Sequence, residues 1–263
     1  MKGSVRMIRL MKCEWKKIRT PVIVTTVLLS IIACILSGTL SQSYRLDYEL
    51  EAWEVGTEIL NFLFPLFVVI PICFNMYYER KNNFLLYTMT RVNKGKYLKA
   101  KWVIAALSAF VIIFIPYFLS AIFTLYVKAP SELSIRGELE SPFTHVLLDL
   151  FTNQPLLYAF ILSCLRGLIG IFVMSMGFVF SMYIGNIFVI LTGPFIYVII
   201  ENFVLSILGK PGYRLVTAFD PTTIMESMIT VGSFIVPLIL ISFVTVIVWL
   251  YFKMIKKTVV FKV

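Results

Sequence analysis

Residues 102–127 read WVIAALSAFVIIFIPYFLSAIFTLYV, 26 positions without one charged side chain. At about 1.5 Å per helical residue the run is ~39 Å long. The hydrocarbon of a bilayer is about 30 Å thick and needs roughly 20 such residues. The stretch therefore predicts a membrane-spanning helix. Five further runs meet the same test, at about 21–40, 59–78, 155–182, 187–208 and 232–252. No alternating segments of roughly ten residues recur, which excludes a β-barrel, and lipid leaves only helices once barrels are gone. The composition agrees, with 59% apolar and 14% charged residues and a mean hydropathy of +0.90. A soluble domain has about 45–50% apolar residues, so a water-soluble enzyme and a disordered chain are both excluded. The expected fold class is an all-α membrane protein, one transmembrane domain over 1–263 with six spans.

The charges orient it. With the N-terminus inside, the cytoplasmic pieces are 1–20, 79–101, 183–186 and 253–263, and they hold 18 of the 24 Lys and Arg. The external pieces, 41–58, 128–154 and 209–231, hold five, and Arg166 falls inside a span. This is the positive-inside bias of an N-in, C-in, multi-pass membrane protein. Among the acids only Glu14 and Glu79 fall on the basic side. The basic region and the apolar run of 1–40 are both longer than a secretory signal provides, so this segment is expected to be retained. Cys13 is cytoplasmic and Cys34, Cys73 and Cys164 lie in spans, which predicts no disulfide framework.

Val5, Ile8, Met11, Trp15 and Ile18 recur at helical spacing, with Arg9, Lys12, Lys16 and Arg19 on another face. This pattern predicts an amphipathic helix over 1–20 lying in the membrane interface against anionic lipid, with a sharp turn at Pro21. The loop 79–101 reads ERKNNFLLYTMTRVNKGKYLKAK. Positive charge alone sets topology, yet Phe84, Leu85, Leu86, Tyr87 and Met89 add a water-facing apolar cluster, the mark of an interaction surface. Asn93–Gly95 reads as a turn before the third span.

Outside, 41–58 carries Asp47, Glu49, Glu51, Glu54 and Glu58 with Trp53 near the interface, and 128–154 carries the lone His145 among scattered acids. A metal site needs convergent ligands, so His145 is read as solvated and no metal is expected. The stretches 215–219 and 222–231 are apolar enough for short re-entrant helices between spans five and six. Ala33 with Ser37, and Ser163 with Gly167, fit the small-xxx-small spacing of close helix packing. Pro65, Pro71, Pro116 and Gly193-Pro194 predict kinks. Arg166 and Glu201 are the two charges expected within the membrane. They either pair and pin spans four and five together or line a polar path for cargo or protons.

No catalytic constellation is present: there is no Walker A sequence, HExxH, GxSxG or GxGxxG. The chain is expected to be no enzyme, with no catalytic residues and no cofactor of its own. Energy for any work must come from a partner or an ion gradient.

Four features together resemble the membrane subunits of type-2 ABC exporters, the ABC-2 permeases. They are the basic amphipathic helix, six spans with both ends inside, the loop ERKNNFLLYTMTRVNKGKYLKAKW after span two, and the minimal link YIGN between spans four and five. In that family an acidic residue closes span two, a short coupling helix follows, and a basic stretch ends in a Tyr–Leu–x–x–Lys-like run. Glu79 takes the acidic place, and Tyr97, Leu98 and Lys101 take the last. Asn82-Asn83 and Thr88-Met89-Thr90 stand where the family often has Gly-Thr and Ser-Pro. The N-terminal MKCEWKKIRTP resembles small permeases of Gram-positive bacteria that export, or give immunity to, antimicrobial or toxin peptides.

The resemblance implies a bacterial plasma-membrane permease with a separate ABC ATPase that binds ATP and Mg, and a second permease copy or homologue as partner. Closure of the ATPases would move the loops and switch the spans between inward- and outward-open states, exporting amphipathic or hydrophobic cargo, peptide or lipid-like. The ATPase-coupling residues implied are Glu79, Arg80, Phe84, Leu85, Leu86, Tyr87, Tyr97 and Lys101, beside the interfacial Arg9, Lys12, Trp15 and Lys16. No nucleic acid is expected as partner. Two other functions stay open: an ion-coupled secondary carrier using Arg166 and Glu201, and a membrane scaffold or sensor subunit without transport.

Overall fold

The computed structural model describes residues 2–46, 48–84, 87–88, 92–127, 139–140, 147–225 and 228–255. Eight α-helices carry the described chain: α1 Lys2–Thr39, α2 Glu51–Lys81, α3 Lys94–Ile122, α4 Leu148–Asn153, α5 Pro155–Tyr183, α6 Ile187–Ile207, α7 Leu215–Phe219 and α8 Val231–Ile255. All but α4 and α7 are long and apolar enough to cross a bilayer, which makes this a multi-pass membrane protein. A two-residue parallel ladder, Tyr44–Arg45 on Leu139–Glu140, is the only extended pairing among the described residues.

The bundle is centred on α2, α3 and α5. α1 packs along α3 and α2, α6 along α2, and α8 along α5. Phe64 and Ile72 of α2, Ile112 and Ile113 of α3, and Ile169 and Val173 of α5 fill the core. The outer faces are equally apolar. Val27, Ile31 and Ile35 of α1, Ile200, Phe203 and Ile207 of α6, and Ile239 and Phe243 of α8 are exposed. Water does not tolerate apolar surface of that extent on a monomer, whereas lipid tails accept it.

Small residues set the closest crossings. A Cβ on Gly56 of α2 would overlap the Ser37 backbone of α1, and Ser37 and Ala33 are fully buried. A Cβ on Gly167 would lie 2.7 Å from the Phe110 ring. Both small-residue pairs expected from the sequence thus serve packing within the chain. Asn93 accepts hydrogen bonds from the N–H groups of Gly95 and Lys96 and starts α3, as the turn there predicts. Asn186 caps α6 through the N–H of Phe188 at 2.9 Å, so the 183–186 link is as short as expected.

Two expectations are corrected. The N-terminal helix does not turn at Pro21: α1 runs unbroken through it, and its 38 residues make it ~57 Å long. A proline removes one helical hydrogen bond and crowds the carbonyl four residues back. Here buried Glu14 and Ile18 before Pro21 and buried Val22 after it hold one continuous face against α2 and α3. The second helix also begins earlier than the apolar run. Glu51 and Glu54 lie in its first turn, where the helix dipole favours acids, and both are buried. Trp53 faces the bundle interior. It is fully buried, and its indole N–H donates to the Tyr117 carbonyl at 2.9 Å and to Ser120 Oγ at 3.0 Å.

After α6 the chain reverses at Gly209, whose φ of +68° suits a glycine. The N–H of Lys210 reaches the Leu205 carbonyl at 2.9 Å and that of Gly209 the Ser206 carbonyl at 3.1 Å, closing the helix end. The next segment, with short helical turns at Pro211–Tyr213, Leu215–Phe219 and Pro221–Thr223, folds back into the bundle. Phe219 is fully buried and stacks on Phe64 with ring centroids 3.9 Å apart.

Candidate functional site

Two buried polar clusters stand out, one at each end of this architecture. The first ties α1, α2 and α3 together at the end where α2 stops and α3 starts. Lys101 Nζ lies 2.9 Å from Glu14 Oε2 and also pairs with Glu79. Lys17 Nζ lies 2.6 Å from Glu14 Oε1 and 3.0 Å from Glu79 Oε1. The Tyr97 hydroxyl donates to Glu14 Oε1 at 3.2 Å. Two carboxylates and two ammonium groups thus alternate in a neutral ring. The side chains of Lys101 and Glu14 are each 5% exposed, so neither could stay charged there alone. Both acids of the basic side meet on one lysine.

The ring roots the 79–101 loop. The Lys17 ammonium lies 4.4 Å from the Phe84 ring centroid, a cation–π contact. Arg80 donates to the Ile184 carbonyl in the α5–α6 link, so the end of α2 is fastened to that connection as well. Phe84 and Tyr87 are exposed, and Arg9, Lys12, Trp15 and Lys16 are exposed on α1. Of the expected coupling residues, Glu79, Tyr97 and Lys101 come together with Phe84 beside them. Leu85 and Leu86 lie outside the described residues, as does His145.

The second cluster surrounds Arg166, which is 0% exposed. Its Nε donates to the Phe219 carbonyl at 3.0 Å and its Nη2 to Asp220 Oδ1 at 3.3 Å. The guanidinium carbon sits 4.9 Å from the Trp53 ring centroid, 4.7 Å from that of Tyr117 and 5.6 Å from that of Phe219. Asp220 also accepts from Asn61 of α2 and from Thr222 Oγ1 at 2.7 Å. Asn61 Oδ1 in turn accepts from the Tyr117 hydroxyl at 2.8 Å. Aromatic faces, the Phe219 carbonyl and the Asp220 carboxylate stand in for part of the water this cation loses.

Arg166 and Glu201 do not pair. The segment after α6 brings Asp220 to Arg166, and Glu201 binds that same segment at its other end. Both Glu201 oxygens accept from the Leu215 N–H at 3.1 Å, at the start of α7, where a helix favours negative charge. Arg214 braces the turn through the Pro211 carbonyl at 2.8 Å. Burial lowers its guanidinium below the ordinary range, and the Glu201 carboxylate opposes that shift.

Sequence reasoning missed Glu14, Lys17, Asn61 and Asp220 as members of these clusters. A signal existed for Glu14, because it and Glu79 are the sole acids among 18 basic-side cations. Asp220 read only as a turn before Pro221, because its partners lie on three other elements. Both clusters join side chains of several helices, an arrangement suited to holding those helices together. The chain matches no protein-family model, no curated protein and no solved structure.

Proposed function

We propose that this chain is the permease subunit of an ATP-driven exporter, with the 79–101 loop and both chain termini on the cytoplasmic side. A separate ABC ATPase supplies the energy, and two permease copies or homologues pair to form the path. Cargo is amphipathic or hydrophobic, a peptide or a lipid-like molecule, and leaves by alternating access. The observation that carries the reading is the ring of Glu14, Lys17, Glu79 and Lys101, in which Glu14 and Lys101 are buried and Lys17 and Glu79 half-buried. It joins the segment that carries exposed Phe84 and Tyr87 to three long helices, so a push on either side chain is delivered to α1, α2 and α3 together. The basic α1 face, with Arg9, Lys12 and Lys16 exposed, offers the same partner a second contact.

The test is purification of the tagged chain from its native membrane. A stand-alone ATPase is expected to accompany it, and Phe84→Asp with Tyr87→Asp is expected to release that partner while leaving the permease inserted. Undiminished co-purification of the variant removes the loop from the mechanism.

A second reading, an ion-coupled carrier, draws on the buried Arg166–Asp220 pair, since ionisable groups at membrane depth commonly mark ion pathways. It predicts transport that persists without any ATPase and collapses when the ion gradient is dissipated.

A further inference from the structure

α3 and α8 both pack along α5 and, among the described residues, make no extended contact with each other. Between them the flank of the bundle holds a cavity of about 970 Å³, at the upper end of the roughly 300–1,000 Å³ that ligand pockets span. Its walls are rings and hydrocarbon. Leu98 and Trp102 of α3, Phe172 and Val179 of α5, and Val246 and Trp249 of α8 line it. At one end Tyr183 of α5 and Phe252 of α8 stack with ring centroids 5.5 Å apart.

The hydroxyl and indole groups of the deeper walls are already engaged. Trp102 Nε1 donates to Ser175 Oγ at 3.1 Å, and Ser175 Oγ to the Ile171 carbonyl at 2.8 Å. Ser242 Oγ and Thr245 Oγ1 donate to the carbonyls of Leu238 and Ile241 at 2.6 and 2.7 Å. All four side chains direct their protons within the protein. A peptide lying here would find no donor among them for its backbone carbonyls, and a buried polar group without a partner is costly. A hydrocarbon chain asks for no such partner.

The length and the opening point the same way. Phe172 to Tyr183 on α5 and Ser242 to Lys253 on α8 bound the cavity, and each interval is ~16 Å at about 1.5 Å per residue. That is about half of the roughly 30 Å hydrocarbon thickness, one leaflet. Val246 is exposed, as are Ile239 and Phe243, and spacings of four and three put them on one face of α8. The cavity is therefore continuous with the lipid-facing surface of that helix.

We infer that this cavity binds one acyl chain of a membrane phospholipid, lying between α3 and α8 in the leaflet on the side where α3 begins. The chain is held by its hydrocarbon, whatever headgroup it carries. The site does not depend on the exporter reading.

The test uses the purified full chain in detergent with a phosphatidylcholine that carries a diazirine on one acyl chain, followed by mass spectrometry of the adducts. Adducts are expected on 172–183 of α5 and 242–253 of α8, and excess unlabelled phosphatidylcholine is expected to remove them. Exposed Ile200 and Phe203 of α6 report non-specific contact and are expected to stay unlabelled. A phosphatidylglycerol probe with the same chains is expected to label the same positions equally. An apolar peptide bearing the same photoreactive group is expected to leave the cavity unlabelled. Val179→Phe with Val246→Phe enlarges two wall side chains and is expected to abolish the labelling. Adducts spread evenly over α6 and the cavity, labelling that depends on the headgroup, labelling by the peptide, or labelling that persists in the double variant overturns the proposal.

Discussion

Lys101 on α3 and Glu14 on α1 form a buried ion pair at 2.9 Å across 87 positions of sequence, and Glu79 of α2 shares the same ammonium. One lysine thus closes a three-helix junction at the root of the loop that the proposed partner grips.

Lys101→Met removes one cation and leaves Glu14 and Glu79 facing each other with only Lys17 between them. Breaking a buried pair by deleting one partner costs about 3–5 kcal/mol. The expected result is a marked loss of melting temperature in detergent. Glu14→Gln combined with Lys101→Met should cost less than the sum of the two single changes, because the second change removes a charge the first had orphaned.

Gly56 tests the crossing of α1 and α2. A Cβ there meets the Ser37 main chain, which cannot rotate away as a side chain would. Gly56→Ala is expected to destabilise by about 1–3 kcal/mol, as overpacking does. Gly185→Ala, with nothing within 4 Å of the new Cβ, is expected to leave thermal stability unchanged.

The buried arginine gives a coupling test with a built-in control. Arg166→Gln and Asp220→Asn should be non-additive, since each charge is the other's partner; residues in one network show interaction energies of about 0.5–3 kcal/mol. Arg166→Gln and Lys101→Met, which belong to the two separate clusters, should be additive within about 0.5 kcal/mol, as expected for sites without shared partners. A double-mutant cycle on denaturation in detergent reads both.

Glu201→Gln alone weakens the capping of α7 at Leu215. A charge at a helix N-terminus contributes about 0.3–1 kcal/mol, up to ~2 when partly buried. The expected effect is a modest loss of stability with faster hydrogen exchange at the Leu215 amide, and no change at the Lys101 junction.

The six spans could be read from the sequence because their signal is local: a charge-free run such as 102–127 needs no knowledge of its neighbours. The Ser37 and Gly167 packing positions were legible for a similar reason, since spacing alone puts small residues on one helix face. What escaped depends on contacts between distant segments. Pro21 suggests a turn by itself, and only the anchoring of Glu14 and Ile18 against other helices keeps α1 straight through it. The burial of Glu54 and Trp53 was not legible, because it follows from the packing of α2 against other helices. Arg166 was recognised as a charge in need of a partner. Its real partner, Asp220, sat in a turn that reaches it only by folding back beneath Phe64. Glu201, the nearer guess by depth, is occupied by a backbone amide of that same returning segment.

The central proposal is that the segment between α2 and α3, with exposed Phe84 and Tyr87, is where an ATPase grips this chain. Its most direct measurement is photo-crosslinking in intact cells with a photoreactive amino acid at Tyr87, followed by mass spectrometry of the adduct. The account predicts a covalent adduct with a cytoplasmic ATPase carrying a nucleotide-binding motif. Accessibility of position 87 to a membrane-impermeant reagent added outside the cell, with no such adduct, contradicts it.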